Sequence, residues 1–234
     1  ACCGLTWIST GQLDGARRQL RHSLDAVAPA LDADIPIVGL EPSCTAALRS
    51  DAHELLPGDE RARRLAGGTF TLAELLRRTP GWAPPAMDDV TAVAQPHCHQ
   101  HAVMGWDADR ALLADGGASV TAVGGCCGLA GNFGVENGHY DVSVAVAQTA
   151  LLPAVEAAGP DAVLLADGFS CRTQLDQLAA RDGIHLAQLL AARLQGANGS
   201  ADAASRSQSP SCAGTAAEHN PPQQDADGES GGNS

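Results

Sequence analysis

The chain of 234 residues is 44% hydrophobic but only 3% aromatic, and its 27 acidic side chains outnumber 14 basic ones to give a formal net charge of -13. This excess of acidic groups argues against a nucleic-acid partner, because affinity for a phosphate backbone comes largely from Lys and Arg side chains that displace counterions. No stretch has the roughly 18 to 20 apolar residues of a membrane-spanning helix, so we expect no membrane span in this chain.

The eight cysteines are numerous enough for a disulfide framework in a small secreted protein. A chain of this length can bury a core without such cross-links, so we expect reduced thiols in a cytoplasmic protein, where cysteine serves mainly in metal sites and catalysis. The chain begins Ala-Cys-Cys-Gly without a Met, within a motif, and we therefore expect its natural N-terminus and any targeting segment to be missing.

The first half of the chain starts with the doublet Cys2-Cys3, which a glycine follows. A helical pattern of apolar residues covers 13–27, and the apolar run at 35–40 predicts a strand that leads to Cys44. A second helical pattern, at 71–76, closes this half.

The same order of elements recurs after a second cysteine doublet. The elements are the doublet Cys126-Cys127, a helical pattern at 141–158, an apolar run at 162–166, Cys171 and a helical pattern at 185–190. Cys44 follows Cys3 by 41 residues, and Cys171 follows Cys127 by 44. We interpret the chain as a duplicated unit.

The second half also contains a strand pattern, at 90–94, that leads to Cys98 and has no counterpart before the first doublet. We therefore expect a first repeat at 1–80 that is truncated at its N-terminus, a linker at 81–87 and a second repeat at 88–195. Residues 196–234 are rich in Ser, Gly, Asn, Gln and Pro without apolar periodicity, which predicts a disordered tail. Cys212 lies in that tail with no partner nearby, and we assign it no role.

Short apolar runs that alternate with longer amphipathic stretches are typical of the α/β class, with parallel strands and crossover helices. Ligands of such sheets bind beyond the carboxyl ends of the strands. Cys98, Cys126 and Cys171 each follow an apolar run by a few residues. We therefore expect all three at that one edge of the sheet.

The doublet Cys126-Cys127 lies in the glycine-rich stretch "GGCCGLAGNFG". Adjacent cysteines form a disulfide only through a strained ring, so mutual bonding is not the expected purpose of the pair. Glycines such as Gly125 and Gly128 permit sharp turns and the close approach of a bulky inorganic group. They also expose amide N–H groups to thiolate sulfurs, so we predict that both glycines contribute to a cofactor site.

Cysteine thiolates are the usual ligands of iron-sulfur clusters, and four are enough for a cubane cluster. The candidate metal ligands are Cys98, Cys126, Cys127 and Cys171 in the second repeat and Cys2, Cys3 and Cys44 in the first. In one alternative, these cysteines are small buried hydrophobic residues. In another, His99 or His101 completes a zinc site, although zinc favours two close-set ligand pairs over a doublet with distant single ligands.

The histidines at 97, 99 and 101 alternate around Cys98 and would share one face of a strand, whereas beyond the strand end they would splay. Either His99 and His101 hydrogen-bond a cluster sulfur or a quinone oxygen, or they are ordinary surface or core histidines. We also expect Asn132 to cap a helix, and Asp167 to pair with Arg172. The sequence has no Ser-His-Asp spacing, phosphate loop or dinucleotide fingerprint.

The arrangement Cys98…Cys126-Cys127-Gly128…Cys171, preceded by a second Cys-Cys-Gly…Cys at 2–44, resembles the cysteine-rich CCG domain. This domain occurs in heterodisulfide reductase, in the iron-sulfur subunits of glycolate oxidase and anaerobic glycerol-3-phosphate dehydrogenase, and in fused FAD-linked oxidases. The segments "EPSC", "QPHCHQHAV", "CCGLAGNFG" and "DGFSCRTQ" are most similar to the fused oxidases, which act on D-lactate or related 2-hydroxy acids. The resemblance covers residues 1 to about 194.

The resemblance implies an iron-sulfur electron-transfer domain of an FAD-linked oxidoreductase that acts on a 2-hydroxy acid of the D-lactate or glycolate type. FAD, in a flavin domain or subunit, and a ferredoxin-like segment with two clusters would belong to the missing upstream part, and the electron acceptor could be a quinone. Partners of this kind could associate the protein with a membrane. The chain itself would carry out no substrate catalysis.

One feature of the chain differs from the fuller family pattern. Members that bind a non-cubane cluster end each repeat in Cys-x-x-Cys, and no such extra thiol precedes Cys44 or Cys171 here. We therefore favour a 4Fe-4S cluster, with the non-cubane form and the number of clusters left as alternatives. The rival hypothesis is a zinc-stapled or metal-free docking or structural domain of the same fold.

Overall fold

The computed structural model of the protein describes residues 1–198, which form parallel β-sheets flanked by helices. This confirms the predicted α/β class. The final described helix reaches Asn198. The remainder of the predicted tail, with Cys212, lies outside the described residues.

The first half is mainly helical and contains one pair of short strands. Its elements are α1 (Leu5–Ser9), α2 (Leu13–Asp32), β1 (Ile37–Gly39), α3 (Pro42–Ala46), α4 (Ala52–Leu55), α5 (Glu60–Gly68), β2 (Thr69–Thr71) and α6 (Leu72–Arg78). A wide π-helical turn at Ala47–Asp51 joins α3 to α4. Helix α2 includes the helix predicted at 13–27 and buries Leu20, Leu24 and Leu31 in an apolar cluster to which α5 contributes Leu65.

The second half contains a larger sheet with longer helices. Its elements are β3 (Thr91–Ala94), α7 (Asp107–Asp115), β4 (Ser119–Ala122), α8 (Tyr140–Thr149), α9 (Leu151–Ala158), β5 (Val163–Leu165), α10 (Phe169–Ala179) and α11 (Leu186–Asn198). A π-helical turn at Gln100–Met104 follows β3, and a 3-10 turn at Phe133–Val135 precedes α8.

The single helical pattern predicted at 141–158 is in fact two helices, α8 and α9, with a bend of 50° between them. Pro153 lies in the first turn of α9, where its missing N–H and its ring prevent a continuous hydrogen-bond ladder with α8. No single helix among residues 1–198 has the length and hydropathy of a bilayer span. The bent pair of α8 and α9 reaches these values when its two helices are taken together.

Strand β3 is the centre of the larger sheet, with the order β4-β3-β5 and all strands parallel. Its residues Ala92, Val93 and Ala94 are buried, as expected for a central parallel strand covered on both faces. Ala92 and Ala94 belong to one apolar cluster, whereas Val93 belongs to another that includes Cys127 and Cys171. The candidate cysteines are therefore continuous with the core on one face of this sheet.

The pairing of short strands shows the predicted duplication. In the first half, β1 and β2 are parallel and align Val38 with Phe70, and α6 follows directly. In the second half, Leu165 of β5 forms a parallel bridge with Ile184, just before α11. A parallel pairing followed by a closing helix thus occurs in both halves, as two strands in the first and as a single bridge in the second.

The two closing helices also start with the same type of cap. At α6, the Thr71 hydroxyl accepts a hydrogen bond from the Glu74 backbone N–H, and the Glu74 carboxylate accepts one from the Thr71 N–H. At α11, Gln188 Oε1 accepts from the His185 N–H, and His185 Nδ1 accepts from the Ala187 N–H. These reciprocal bonds satisfy backbone donors that a helix start leaves free.

Candidate metal centre

The larger sheet brings three cysteine-bearing segments to one edge, as predicted. Cys98 follows the end of β3 by four residues, Cys126 follows β4 by four, and Cys171 follows β5 by six. Because the three strands are parallel neighbours, their carboxyl ends point the same way.

Four thiols of the second half form one connected group. The side chain of Cys126 interacts with those of Cys98 and Cys127, and Cys127 interacts in turn with Cys171. Cys127 and Cys171 are only 3% and 2% exposed, Cys126 is half-buried, and Cys98 is exposed. The group therefore extends from the apolar core to the surface.

Hydrogen bonds inside this group make one thiol much more acidic than the others. Donation from the Cys127 and Cys98 thiols, and a weaker contribution from the Gly128 N–H at 3.4 Å, lower the pKa of Cys126 far below its ordinary value. The pKa values of Cys98 and Cys127 are raised because these thiols donate to Cys126 and are partly or largely buried. A soft metal ion can replace the donated protons, so the group has the donor chemistry of a thiolate metal site.

The glycine after the doublet is required by close packing as well as by its backbone conformation. Gly128 has φ +97°, and a Cβ at this position would lie 2.2 Å from the carbonyl oxygen of Ser143 in α8. Gly125 has φ +94° but faces open space, and its carbonyl accepts a hydrogen bond from Gln95 Nε2 at 3.0 Å. The predicted contribution of both glycines to a cofactor site stays a prediction.

The three histidines do not share one face of a strand, because the segment after β3 turns into a helical conformation, in which the rings of His97 and His99 stack. His97 is buried, His99 is half-buried and His101 is exposed. The ligand atoms of His97, Cys98 and His99 all lie within 4.8 Å of one another, an arrangement that could hold a metal ion. This set differs from the mixed zinc site considered from the sequence, because it includes His97 with His99 and leaves out His101.

His97 is held in place by two polar contacts. Its Nδ1 accepts a hydrogen bond from the His99 backbone N–H at 3.2 Å, and its Nε2 lies 3.4 Å from the Ser170 hydroxyl. Burial lowers the pKa of His97, which favours the neutral imidazole. His99 Nδ1 is buried and has no hydrogen-bond partner among residues 1–198, so this atom is the one free to serve a ligand.

The three candidate cysteines of the first half form a second group. Cys3 Sγ and Cys44 Sγ share a hydrogen bond over 3.2 Å, and Cys2 interacts with Cys3. The hydrogen bond with Cys44 lowers the pKa of Cys3 to about 6, and the same pair interaction raises the pKa of Cys44. The cysteines that perturb each of these two thiols all lie in the first half, so the structure separates the seven candidates into two groups.

Glu41 connects the two halves beside both groups, a role that we did not predict. Its Oε1 accepts a hydrogen bond from the Ser43 hydroxyl and its Oε2 accepts one from the Phe169 backbone N–H, each at 2.9 Å. Phe169 is the first residue of α10, the helix that carries Cys171. The sequence signal for a role of Glu41 was its position three residues before Cys44. Its hydrogen-bond partner Phe169 is 128 residues away, and the sequence alone does not indicate such a contact.

Two predicted polar roles are wrong. Asn132 makes no side-chain cap to the turn that follows it; instead, its Nδ2 donates to the Glu136 carboxylate at 2.6 Å. Arg172 donates to the backbone carbonyls of Ala166 and Asp167 and not to the Asp167 carboxylate. In both cases a nearer partner was available to the side chain, because the local turn brings it within reach.

The Asp167 carboxylate is instead used at the start of α11. Its Oδ1 accepts a hydrogen bond from the Leu186 backbone N–H at 2.7 Å and lies 3.6 Å from His185 Nδ1. It therefore satisfies a helix N-terminus, where a negative charge is favourable.

Sequence comparison finds similarity to a dehydrogenase subunit and to a dehydrogenase. The chain is 28% identical over 207 residues to a subunit of the anaerobic glycerol-3-phosphate dehydrogenase of Escherichia coli strain K12, covering 82% of this chain and 49% of that protein. The figures for the corresponding protein of Escherichia coli O157:H7 are identical. Similarity to D-2-hydroxyglutarate dehydrogenase of Pseudomonas putida is 27% over 175 residues, covering 73% of this chain and 16% of that enzyme.

The chain thus spans about half the length of the glycerol-3-phosphate dehydrogenase subunits and a smaller part of the hydroxyglutarate enzyme. No protein-family model matches the chain, and no solved structure matches it.

Proposed function

We propose that this chain is an iron-sulfur electron-transfer domain of the CCG type, which passes electrons from a flavin to an acceptor in an FAD-linked oxidoreductase. The observation that supports the proposal most strongly is the connected group of four thiols at the carboxyl edge of the larger sheet. Similarity to two kinds of dehydrogenase supports the same class of reaction.

The residues present fit such a cofactor. Cys98, Cys126, Cys127 and Cys171 would hold the cluster, which when bound supplies one-electron transfer. The buried position of Cys127 and Cys171 within an apolar cluster excludes water from that side. The Gly128 N–H is directed at Cys126 Sγ and stabilises negative charge on the sulfur.

We further propose a 2-hydroxy acid of the D-lactate or glycolate type as the substrate of the whole enzyme. The name of the Pseudomonas putida relative, which refers to D-2-hydroxyglutarate, supports this class, whereas the Escherichia coli relatives are named for glycerol-3-phosphate. In this proposal, the partners of this chain provide the FAD and a ferredoxin-like segment. They also contact the electron acceptor, a quinone or another molecule, at a membrane or in the cytoplasm.

The proposal is tested by anaerobic reconstitution of the full chain with ferrous iron and sulfide. We expect visible thiolate-to-iron absorption that dithionite bleaches, and no oxidation of D-lactate or glycolate without an added flavoprotein. Cys127→Ser should lose most of the absorption because it removes a buried soft ligand. Cys212→Ser, the same exchange at a cysteine with no assigned role, is the matched control and should load like the unmodified chain.

A zinc-stapled domain is the second candidate, and the proximity of His97, Cys98 and His99 favours it. In that case, the purified chain would retain zinc and form no iron chromophore. Zinc would then be lost on His99→Ala and retained on Cys127→Ser, the reverse of the ligand dependence expected for the cluster.

A further inference from the structure

A small cavity with six apolar and four polar lining residues lies next to two of the segments that carry the candidate ligands. Its volume is about 20 Å³ and its polar lining consists of Gln95, Gln100, Asp109 and Asp167. A site of this size that offers several polar partners is large enough for one water molecule, which needs about 10–15 Å³ by such a measure. The cavity can therefore hold a water that links its side chains.

Gln95 connects this cavity to the cysteine doublet. Its Nε2 donates to the carbonyl oxygen of Gly125, the residue before Cys126, at 3.0 Å. Gln95 is 3% exposed, and its buried Oε1 has no hydrogen-bond partner among the described residues. An unpaired buried acceptor is costly, so this oxygen requires a donor, from a water or from a protonated carboxyl group.

Asp109 is the buried acid of the cavity. It lies in the first turn of α7, is 3% exposed, and its Oδ2 accepts a hydrogen bond from Gln100 Nε2 at 3.1 Å. Burial, reinforced by the negative charge of Asp167, raises the pKa of Asp109 from 3.8 to about 7. This carboxyl group can thus exchange its proton near neutral pH.

Asp167 lines the cavity and is partly exposed. Its side chain is 18% exposed, and it is four residues before Cys171. Asp167 is therefore the titratable side chain that links this cavity with solvent.

We propose that Asp109 is a redox-linked proton site, which takes up one proton from solvent when a cluster held by the cysteines at the carboxyl edge of the same sheet accepts one electron. This inference rests on the proposed function. The electron comes from the flavin partner, the proton is added to a carboxylate oxygen of Asp109, and no other bond forms or breaks. Reoxidation by the acceptor returns the proton.

The physical basis is charge compensation inside a region that water reaches poorly. An added electron increases the negative charge at the carboxyl edge of the sheet, which Gln95 links to the cavity, so it favours the protonated form of the buried carboxyl group there. Coupling of this kind is reciprocal, so protonation of Asp109 must favour reduction to the same extent.

Other charged groups also influence the protonation of Asp109, and the experiment must distinguish their effect from that of Asp109 itself. Those on the packed elements are Asp167, Glu74 of α6 with its ion-pair partner Arg49, and, beside Asp167, His185 and Arg172. Glu74 and Asp167 both disfavour ionisation of Asp109. Their effect on it is constant wherever their own charges do not change.

The experiment compares Asp109→Asn with Asp107→Asn in the full chain. Asp107 is in the same first turn of α7 but is exposed, so its exchange controls for the loss of a charge near the helix start. Redox titration of the loaded chain is carried out on both sides of neutral pH. As pH rises, the reduction potential should fall by as much as about 59 mV per pH unit for one electron, which is a tenfold change in the equilibrium constant of reduction. We expect Asp109→Asn to remove this dependence and Asp107→Asn to retain it.

A second measurement needs no metal. Infrared spectra of the metal-free chain should contain a carboxylic-acid carbonyl band that disappears as pH rises through neutrality and that Asp109→Asn lacks. A loaded chain with a pH-independent potential, or a dependence that survives in Asp109→Asn, overturns this inference alone. A chain that loads no cluster overturns both the proposed function and the coupling.

Discussion

The carboxylate oxygen Oε2 of Glu41 lies 2.9 Å from the backbone nitrogen of Phe169 and accepts its hydrogen bond across 128 residues of chain. This bond meets the start of α10, the helix that carries Cys171. A negative charge is favourable at a helix N-terminus because several backbone N–H groups there lack helical partners. The first half of the molecule thus helps to fix the orientation of a candidate ligand in the second.

Replacing Glu41 with Ala should destabilise the folded chain by about 1–2 kcal/mol, since a charged acceptor of two hydrogen bonds is removed. Urea unfolding followed by circular dichroism measures the change. Ser43→Ala is the matched control, because it removes one partner of Glu41 and leaves the Phe169 bond in place. Equal losses for the two variants would contradict a special role for the bond to Phe169.

Gly128→Ala should be more damaging than Gly125→Ala. Both positions have positive φ, so each variant carries a backbone strain of about 1–2 kcal/mol. Only at Gly128 would the new Cβ meet the Ser143 carbonyl, at 2.2 Å, which adds about 1–3 kcal/mol of overpacking. The midpoints of thermal unfolding and the iron contents of the two variants measure the difference. Equal unfolding midpoints would show that α8 moves away from the new Cβ without cost in stability.

Two separate thiol groups predict unequal effects of cysteine replacement. Cys127→Ser, Cys126→Ser or Cys171→Ser should remove most reconstituted iron, because each deletes a ligand from the group of four. Cys3→Ser should remove little, since its thiol partners are Cys2 and Cys44. Iron analysis after anaerobic desalting measures both. If Cys3→Ser empties the chain as fully as Cys127→Ser, a single site is shared between the halves.

The pKa of Asp109 predicts a pH-dependent stability of the metal-free chain. Because the folded-state pKa, about 7, is higher than the ordinary value of 3.8, the folded state binds the proton more tightly than the unfolded one. Stability therefore falls as pH rises between these two values, by about 4 kcal/mol in total, and the full penalty is present above pH 7.

Asp109→Asn removes that penalty, so it should raise the free energy of unfolding above neutral pH and change it little in acid. Chemical denaturation at a series of pH values measures the difference from the unmodified chain. Asp107→Asn should show no such gain at high pH because its side chain is exposed in both states. A constant offset between Asp109→Asn and the unmodified chain at every pH would mean that Asp109 does not titrate in this range.

Periodicity was sufficient to predict the main elements of the fold. The helix at 13–27 and the strands at 90–94 and 162–166 are present because their apolar spacing determines which faces can be buried. The break between α8 and α9 required attention to Pro153, whose effect on the backbone overrides an unbroken apolar pattern. Helix α7 was not predicted because its apolar stretch is short, although the two acids in its first turn are a signal for a helix start.

The candidate site could be predicted only where the position of a residue along the chain, relative to a strand end, determines its place in the fold. Strand ends placed Cys98, Cys126 and Cys171 at one edge, because parallel strands share a direction. The contacts of Glu41 and Gln95 depend on how distant segments pack, and a single sequence contains no signal for such packing. The division of the cysteines into two groups likewise follows from tertiary structure.

Unequal burial of the four thiols has a consequence for the durability of a loaded centre. Cys127 and Cys171 lie in the core, whereas Cys98 is at the surface. If these four thiols hold a cluster as proposed, oxidants and chelators from solution would meet the ligand Cys98 first, because the other three thiols are less exposed. Cys127 and Cys171, held in the core, would keep their positions if that ligand were lost, so reloading would not require refolding.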